Sequence, residues 1–246
     1  MMCLSRGVTM KGWPGENELT VPFDEVLARE AASPYDGKPI SNVIFDFGNV
    51  LVDWDPVALL MPRYGEQRIE DFLDNEVSGF YDACDRMDCG ASPEEGIAWM
   101  RATHGDRWAD MLVYYFDNFL DSLTGTMPGM RVLVDDVKAT GIGVWGLSNW
   151  QRETIGEAER EYAILRALDG RVISGEVGLR KPDRAIYLKA LETFGISADT
   201  TVFVDDKASN VIGANRAGLR CIRFRDERGL RRALIDAGVP IPTVAD

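Results

Sequence analysis

The 246-residue chain is poor in the residues that build zinc sites, membrane spans and nucleic-acid surfaces. It has one histidine, His104, and four scattered cysteines, Cys3, Cys84, Cys89 and Cys221. Cys84 and Cys89 form a single C-x4-C pair with no second pair. A zinc site needs about four Cys or His ligands, so zinc is not expected. The thiols read instead as the reduced cysteines of a cytoplasmic protein. No apolar run approaches the ~20 residues of a membrane span. Residues 1–20, MMCLSRGVTMKGWPGENELT, lack the apolar core of a signal peptide. The expectation is a soluble cytoplasmic protein with no membrane partner. Positive charge is short as well, with 27 Lys and Arg against 40 Asp and Glu, a formal net charge of -13. That field repels nucleic acid, which is excluded as an expected partner. It repels an anionic small molecule too, unless a local cation reverses the sign at the site. That requirement points towards a metal ion.

What remains is ordinary globular composition, 46 % hydrophobic and 27 % charged. The length suits one large α/β domain or a core with a smaller insert. Residues 1–39 are polar and punctuated by glycine and proline, with one helical pattern at 23–32; they read as an N-terminal extension. Asn42-Val43-Ile44-Phe45 is a short apolar run that predicts a buried strand ending at Asp46, and Gly48-Asn49 supplies a turn. Apolar residues then fall at helical spacing over 57–64, 69–77, 93–103 and 108–120. Ser92-Pro93-Glu94-Glu95 carries a cap, a first-turn proline and acids at the positive end of a helix. Beyond Thr124 the pattern alternates: helix 130–140, strand 142–147, helix 153–168, strand 172–174, helix 184–194, strand 201–204, helix 208–217 and strand 220–224. Alternation of this kind predicts a parallel sheet covered on both faces. The expected organisation is an α/β core, 40–55 and 124–246, with a small all-helical domain, 56–123, inserted after the first strand.

In parallel α/β sheets, sites form outside the carboxyl ends of the strands. The first strand ends in Asp46. The strand at 142–147 runs into Ser148-Asn149, and Arg180-Lys181-Pro182 follows the strand at 172–174. The strand at 201–204 ends in Asp205-Asp206, with Asn210 four residues beyond. A carboxylate, a hydroxyl, an ammonium and an acidic pair thus share one edge. Converging carboxylates repel each other unless a divalent cation lies between them. Mg²⁺ suits such oxygen ligands and also cancels repulsion between an anionic nucleophile and a phosphate. Lysine and serine can hold the remaining phosphate oxygens. Carboxylate attack gives an aspartyl-phosphate, which water hydrolyses. Each element alone has a structural explanation, such as a helix cap for Ser-Asn. All four in this order predict a site that works on a small-molecule phosphate ester.

The runs FDFGNVLVDWD, LSN, GEVGLRKPDRAIY and VFVDDKASNVIGANRAG resemble the four signature motifs of the haloacid-dehalogenase (HAD) superfamily, in order and rough spacing, over residues 41–225. The helical insert resembles that superfamily's type 1 cap. The resemblance implies a Rossmann-like core and an Mg²⁺-dependent phosphatase. It implies Asp46 as nucleophile and metal ligand, with the Gly48 backbone carbonyl and Asp206 as further ligands. Ser148, Asn149 and Lys181 would bind the substrate, with Lys181 also neutralising nucleophile and phosphate. Asp205 and Asn210 would support the metal from beside it, although many family members carry an Asp where this chain has Asn210. The FDxGNV opening and VDD ending are similar to a bacterial branch acting on glucose-1-phosphate, which favours sugar 1-phosphates as substrates. The phosphatase domain of mammalian soluble epoxide hydrolase is a more distant relative.

One departure matters more. Family phosphatases usually place a second Asp two residues after the nucleophile, as general acid and base, and here that residue is Gly48. Asp53, Asp55 and acids of the helical insert are the candidates to replace it. A haloacid dehalogenase is one rival reading, but that branch lacks the acidic pair. A catalytically idle HAD-like binding domain is another, motivated by the missing acid. A phospho-receiver domain is rejected, since it carries its acidic pair on the first strand. Residues 141–146, GIGVWG, spell G-x-G-x-x-G but lie on a strand rather than opening a helix. Arg220, Arg223, Arg225, Arg228, Arg231 and Arg232 are expected as a solvated face. Trp99, Trp108, Tyr114, Tyr115 and Phe119 are expected as core, with one or two lining a pocket beneath a lid.

Overall fold

Asn42-Val43-Ile44-Phe45 is too apolar to face water on either side, and the chain buries it at the centre of a sheet. In this computed structural model, which describes residues 38–243, strand β1 (Asn42–Phe45) pairs in parallel with two neighbours. These are β4 (Gly143–Ser148) and β6 (Thr201–Asp205), with Val43 opposite Val144 and Val202. β5 (Gly170–Ile173) and β7 (Arg220–Arg223) complete the order β5-β4-β1-β6-β7. Alternate side chains leave opposite faces of β1. Val43 and Phe45 join one apolar core, and Ile44 joins a second with Leu147, Phe203 and Tyr187. The chain is therefore the predicted α/β parallel sheet covered by helices. The predicted extension, with its helical pattern at 23–32 and Cys3, lies outside the described residues apart from Lys38 and Pro39.

Directly after β1 a short antiparallel ribbon forms, β2 (Val52–Trp54) against β3 (Leu123–Thr126). The sequence reading did not foresee it, because three or four residues carry too little alternation. Between its strands the chain is helical. The predicted helix at 69–77 breaks at Asp74, whose carboxylate accepts from the Glu76 amide at 3.0 Å and caps a new turn. The helix Phe80–Asp88 was also unforeseen, since Asp82, Cys84 and Asp85 interrupt its apolar face. Phe80, Tyr81, Ala83 and Met87 are nevertheless buried at helical spacing. The helix Pro93–His104 begins with the expected cap, here a full capping box between Ser92 and Glu95. The predicted helix at 153–168 splits at Tyr162 into Arg152–Glu161 and Ala163–Arg166. Among the described residues no helix is long and apolar enough to cross a membrane.

Two expectations are corrected or explained by packing. Arg220 is buried, its guanidinium donating to the carbonyls of Lys38, Pro39 and Asp199. Arg231 is buried against Asp136 and Glu227 at the C-terminal helix Glu227–Asp236. Arg223 Nε donates to the Asp206 carbonyl at 3.0 Å. The predicted solvated arginine face thus reduces to Arg225, Arg228 and Arg232. In GIGVWG the glycine of β4 has a packing reason: a Cβ on Gly146 would strike the Phe47 ring.

One close approach bears on the site. Helix Ala208–Arg216 crosses the segment after β5 at Gly213, where a Cβ would collide with the Pro182 carbonyl oxygen. Backbone cannot swing aside as a side-chain tip can. Gly213→Ala should destabilise the fold by about 1–3 kcal/mol, outweighing the ~1 kcal/mol of helix propensity gained. Urea denaturation measures this, and a raised midpoint would show that the segment carrying Lys181 yields freely.

Candidate active site

Every polar strand end lies on one edge, because all five strands of the main sheet run in the same direction. Asp46 continues β1 by one residue, its amide donating to the Val204 carbonyl at 2.9 Å. The chain then reverses at Asn49, whose φ of 59° is a left-handed conformation that asparagine tolerates. The Asn49 amide donates to the Val52 carbonyl at 2.7 Å, and its side-chain oxygen accepts from the Trp54 amide at 3.1 Å. This turn fixes the backbone just beyond the Asp46 carboxylate. Oδ1 of that carboxylate accepts from the Phe47 amide at 2.7 Å.

Lys181 is 2 % exposed and stands at the centre of the cluster. Its Nζ lies 2.8 Å from Asp46 Oδ1, 2.7 Å from Asp205 Oδ2 and 3.1 Å from the Leu147 carbonyl. Burial by itself disfavours the ammonium, but the two carboxylates outweigh it and hold Lys181 above the ordinary lysine range. Asn149, expected at the substrate, also holds the Lys181 backbone. Its side-chain oxygen accepts from the Lys181 amide at 2.8 Å, and its Nδ2 donates to the Lys181 carbonyl at 3.0 Å. Each atom of the amide is engaged once, which positions Lys181, while Asn149 still lines the cavity.

Asp205 is fully buried and accepts from Lys181, from the Lys207 amide at 2.8 Å and from Asn210 Nδ2 at 3.0 Å on each oxygen. Burial pushes its pKa upwards, opposed mainly by Lys181. Asn210 thus supports Asp205, and Tyr187 holds the Asn210 carbonyl at 2.7 Å. Asp206 differs. Its Oδ1 is buried without a hydrogen-bond partner, and burial, then the nearby Asp46 charge, raise its pKa. Ligand oxygens of Asp46, Asp205 and Asp206 lie within 4.8 Å of one another. An unsatisfied carboxylate oxygen beside a second carboxylate is unfavourable alone. A divalent cation relieves both defects, so the residues fit one.

Asp46, Gly48, Ser148, Asn149, Lys181 and Asn210 line a cavity of about 100 Å³. Ser148 is buried there, with only a long contact of 3.4 Å to the Asn149 carbonyl engaging its hydroxyl. The helices between β2 and β3 supply the opposite wall. Tyr115 and Phe119 lie on it, as part of the aromatic expectation had it, beside Phe116, Tyr81, Cys84 and Asp88. Trp150, Gln151 and Lys207 also line the cavity. Sequence reasoning offered the acids of the insert as a class and did not single out Asp88, because the helix bearing it was missed; its apolar spacing was the available signal. Burial and the neighbouring Asp85 raise Asp88 to about 7, against the pull of Lys207, Lys181 and Arg180. Two expected acids stand elsewhere. Asp53 accepts from Thr124 Oγ1 on the exposed ribbon, and Asp55 caps the helix Pro56–Leu60 through the Val57 and Ala58 amides. Neither lines the cavity.

Comparison with known proteins agrees with this geometry. A sesquiterpene phosphatase of Aspergillus oryzae is 31 % identical over 39 % of this chain and 50 % of its own length. A drimenol cyclase of Aspergillus calidoustus is 26 % identical over 78 % of this chain and 35 % of its own. The chain thus spans half or less of these relatives. A HAD-like hydrolase structure from Porphyromonas gingivalis superposes with a TM-score of 0.63 at 22 % identity, covering 81 % of this chain and 98 % of that one. A HAD enzyme from Bacteroides thetaiotaomicron, solved with magnesium and inorganic phosphate, gives 0.57 at 20 % identity over 76 % and 95 %. The model of the haloacid dehalogenase-like hydrolase family matches residues 43–224, from β1 through the last strand of the sheet. The strand-end carboxylates, serine and lysine all fall inside that match, and the chain belongs to the haloacid dehalogenase-like hydrolases.

Proposed function

We propose that this chain is an Mg²⁺-dependent phosphatase of small phosphate monoesters that works through an aspartyl-phosphate on Asp46. One observation carries the reading. Asp46 is held by Lys181 at 2.8 Å on one oxygen, while Asp206 offers a ligand oxygen to the same cluster and has a buried Oδ1 with no hydrogen-bond partner among the described residues. Both known bonds to the Asp46 side chain fall on Oδ1, which leaves Oδ2 to attack phosphorus. Asp46, Asp206 and the Gly48 carbonyl would hold Mg²⁺, which when bound cancels repulsion between carboxylate and phosphate. The Ser148 hydroxyl and the Lys181 ammonium take phosphate oxygens as charge develops. Asp205 and Asn210 keep Lys181 and the acidic pair in place. The helical segment 56–123 acts as the cap that closes the cavity and sets substrate size. Phosphatases among the relatives, and a magnesium and phosphate complex among the similar structures, support this assignment.

Within that class we place sugar phosphates first, and sugar 1-phosphates ahead of 6-phosphates. Gln151 lines the cavity with a buried Nε2 that has no partner, a donor suited to a substrate hydroxyl. Trp150 and Phe119 offer aromatic faces to a ring. The FDxGNV opening, similar to that of the glucose-1-phosphate branch, favours the 1-phosphate within this class.

Asp46→Asn keeps size but cannot attack phosphorus. It should fold normally, by circular dichroism, and turn over at less than about a hundredth of the parent rate. Faster hydrolysis would reassign the nucleophile. Asp206→Asn should lower Mg²⁺ affinity and activity together, read by titrating the metal against the rate. Lys181→Ala should reduce turnover about 10²-fold or more and lower stability, because Asp46 and Asp205 lose their shared cation. Full activity in EDTA would overturn the metal mechanism and favour a dehalogenase.

A further inference from the structure

We infer that Asp88, carried by the helical insert, is the general acid and base of this reaction, delivering from the cavity's far wall the proton that Gly48 cannot. The inference rests on the phosphatase reading above. Among the described residues, the carboxylates lining the cavity are Asp46 and Asp88. Asp46 is the nucleophile, and Asp205 is occupied by Lys181, Lys207 and Asn210. Asp53 and Asp55 are held by the ribbon and by a helix terminus. Asp88 closes the helix Phe80–Asp88, which two contacts tie to the core. Asp85 pairs with Arg180, next to Lys181, and the Gly90 carbonyl just beyond accepts from Arg152. The acid is therefore anchored to the segment that carries the phosphate-binding lysine.

The surroundings suit a group that both gives and takes a proton. Burial and Asp85 on its own helix favour the neutral acid, while Lys207, Lys181 and Arg180 from the core favour the anion. The balance, at about 7, matches the working range of a general acid and base. Other titratable groups on this wall are poorer donors. Burial raises the Cys84 thiol and the Tyr115 phenol well above their ordinary values, and the Tyr115 hydroxyl already accepts from Trp54 Nε1 at 2.9 Å.

The proton balance closes over two steps. Asp46 Oδ2 forms a bond to phosphorus as the bond from phosphorus to the alcohol oxygen breaks. The electron pair stays on that oxygen, which takes the Asp88 proton and leaves as the alcohol. Asp88, now a carboxylate, accepts a proton from water as the remaining hydroxide attacks phosphorus. The bond from phosphorus to Asp46 breaks, phosphate leaves, and both carboxyl groups return to their starting states.

The test is Asp88→Asn in the full chain with Mg²⁺, assayed on phosphate esters of graded leaving-group pKa. The parent should show a shallow dependence of log kcat/KM on that pKa. In the variant, nitrophenyl phosphate should lose least in kcat/KM, which ends at phosphorylation of Asp46, while its kcat falls because hydrolysis of the aspartyl-phosphate lacks a base; circular dichroism reports folding. Alkyl and hexose 6-phosphates should lose about 10²–10⁴-fold, with hexose 1-phosphates between. The parent's kcat/KM on alkyl esters should fall above about pH 7, where Asp88 ionises, and this limb should vanish in the variant. Space for a loop-side acid exists, since a Cβ on Gly48 meets only Trp54 Cβ at 4.0 Å. Gly48→Asp in the Asp88→Asn background should restore the alkyl-ester rate. Equal fractional loss on every ester, with the slope unchanged, would overturn the role of Asp88 while leaving the phosphatase reading standing. A parent that hydrolyses no phosphate ester would remove both.

Discussion

Lys181 is the group on which the rest of the site depends. A lone ammonium buried to this depth would give up its proton. Asp46 and Asp205, each within 3 Å of Nζ, reverse that preference and gain from it in turn. Removing Lys181 leaves two buried carboxylates without their shared cation, a defect worth about 3–5 kcal/mol in other proteins. The surrounding structure exists to hold this arrangement. Asn149 grips the Lys181 backbone on both sides, Asn210 braces Asp205, and Gly213 lets a helix press against Pro182.

The same neutralisation is incomplete at Asp206. With Lys181 shared between Asp46 and Asp205, Asp206 Oδ1 has no hydrogen-bond partner among the described residues. Positive charge from outside is the natural completion, which agrees with a chain whose net charge of -13 would otherwise repel an anionic substrate. The cavity divides its labour accordingly. Its core wall gathers the charged strand ends, and its helical wall carries aromatic rings and Asp88, whose carboxyl burial and Asp85 raise to about 7.

Much of this was legible in the sequence. The β1 run, the alternating elements after Thr124 and the polar residues at strand ends all follow from local rules of burial and turn chemistry. Legibility stopped where contacts are long-range. The β2–β3 ribbon joins residues about seventy positions apart, and its strands are too short to show a period. The helix Phe80–Asp88 looked polar because Cys84 and Asp88 line the cavity and Asp85 pairs with Arg180, while Asp82 faces water. Arg220 and Arg231 read as surface charge, yet carbonyls and acids from distant segments bury them.

By itself the sequence determined the strand order along the chain, the family and the chemical types at each strand end, because a strand's burial and its terminal residue are local properties. Tertiary structure alone decided which groups are paired. Asn149 belongs to Lys181, Asp53 and Asp55 belong to the ribbon and a helix cap, and Asp88 belongs to the cavity. The physical reason is that a polar group's role depends on its partner and its distance from water. Folding sets both by bringing together residues that the sequence keeps far apart.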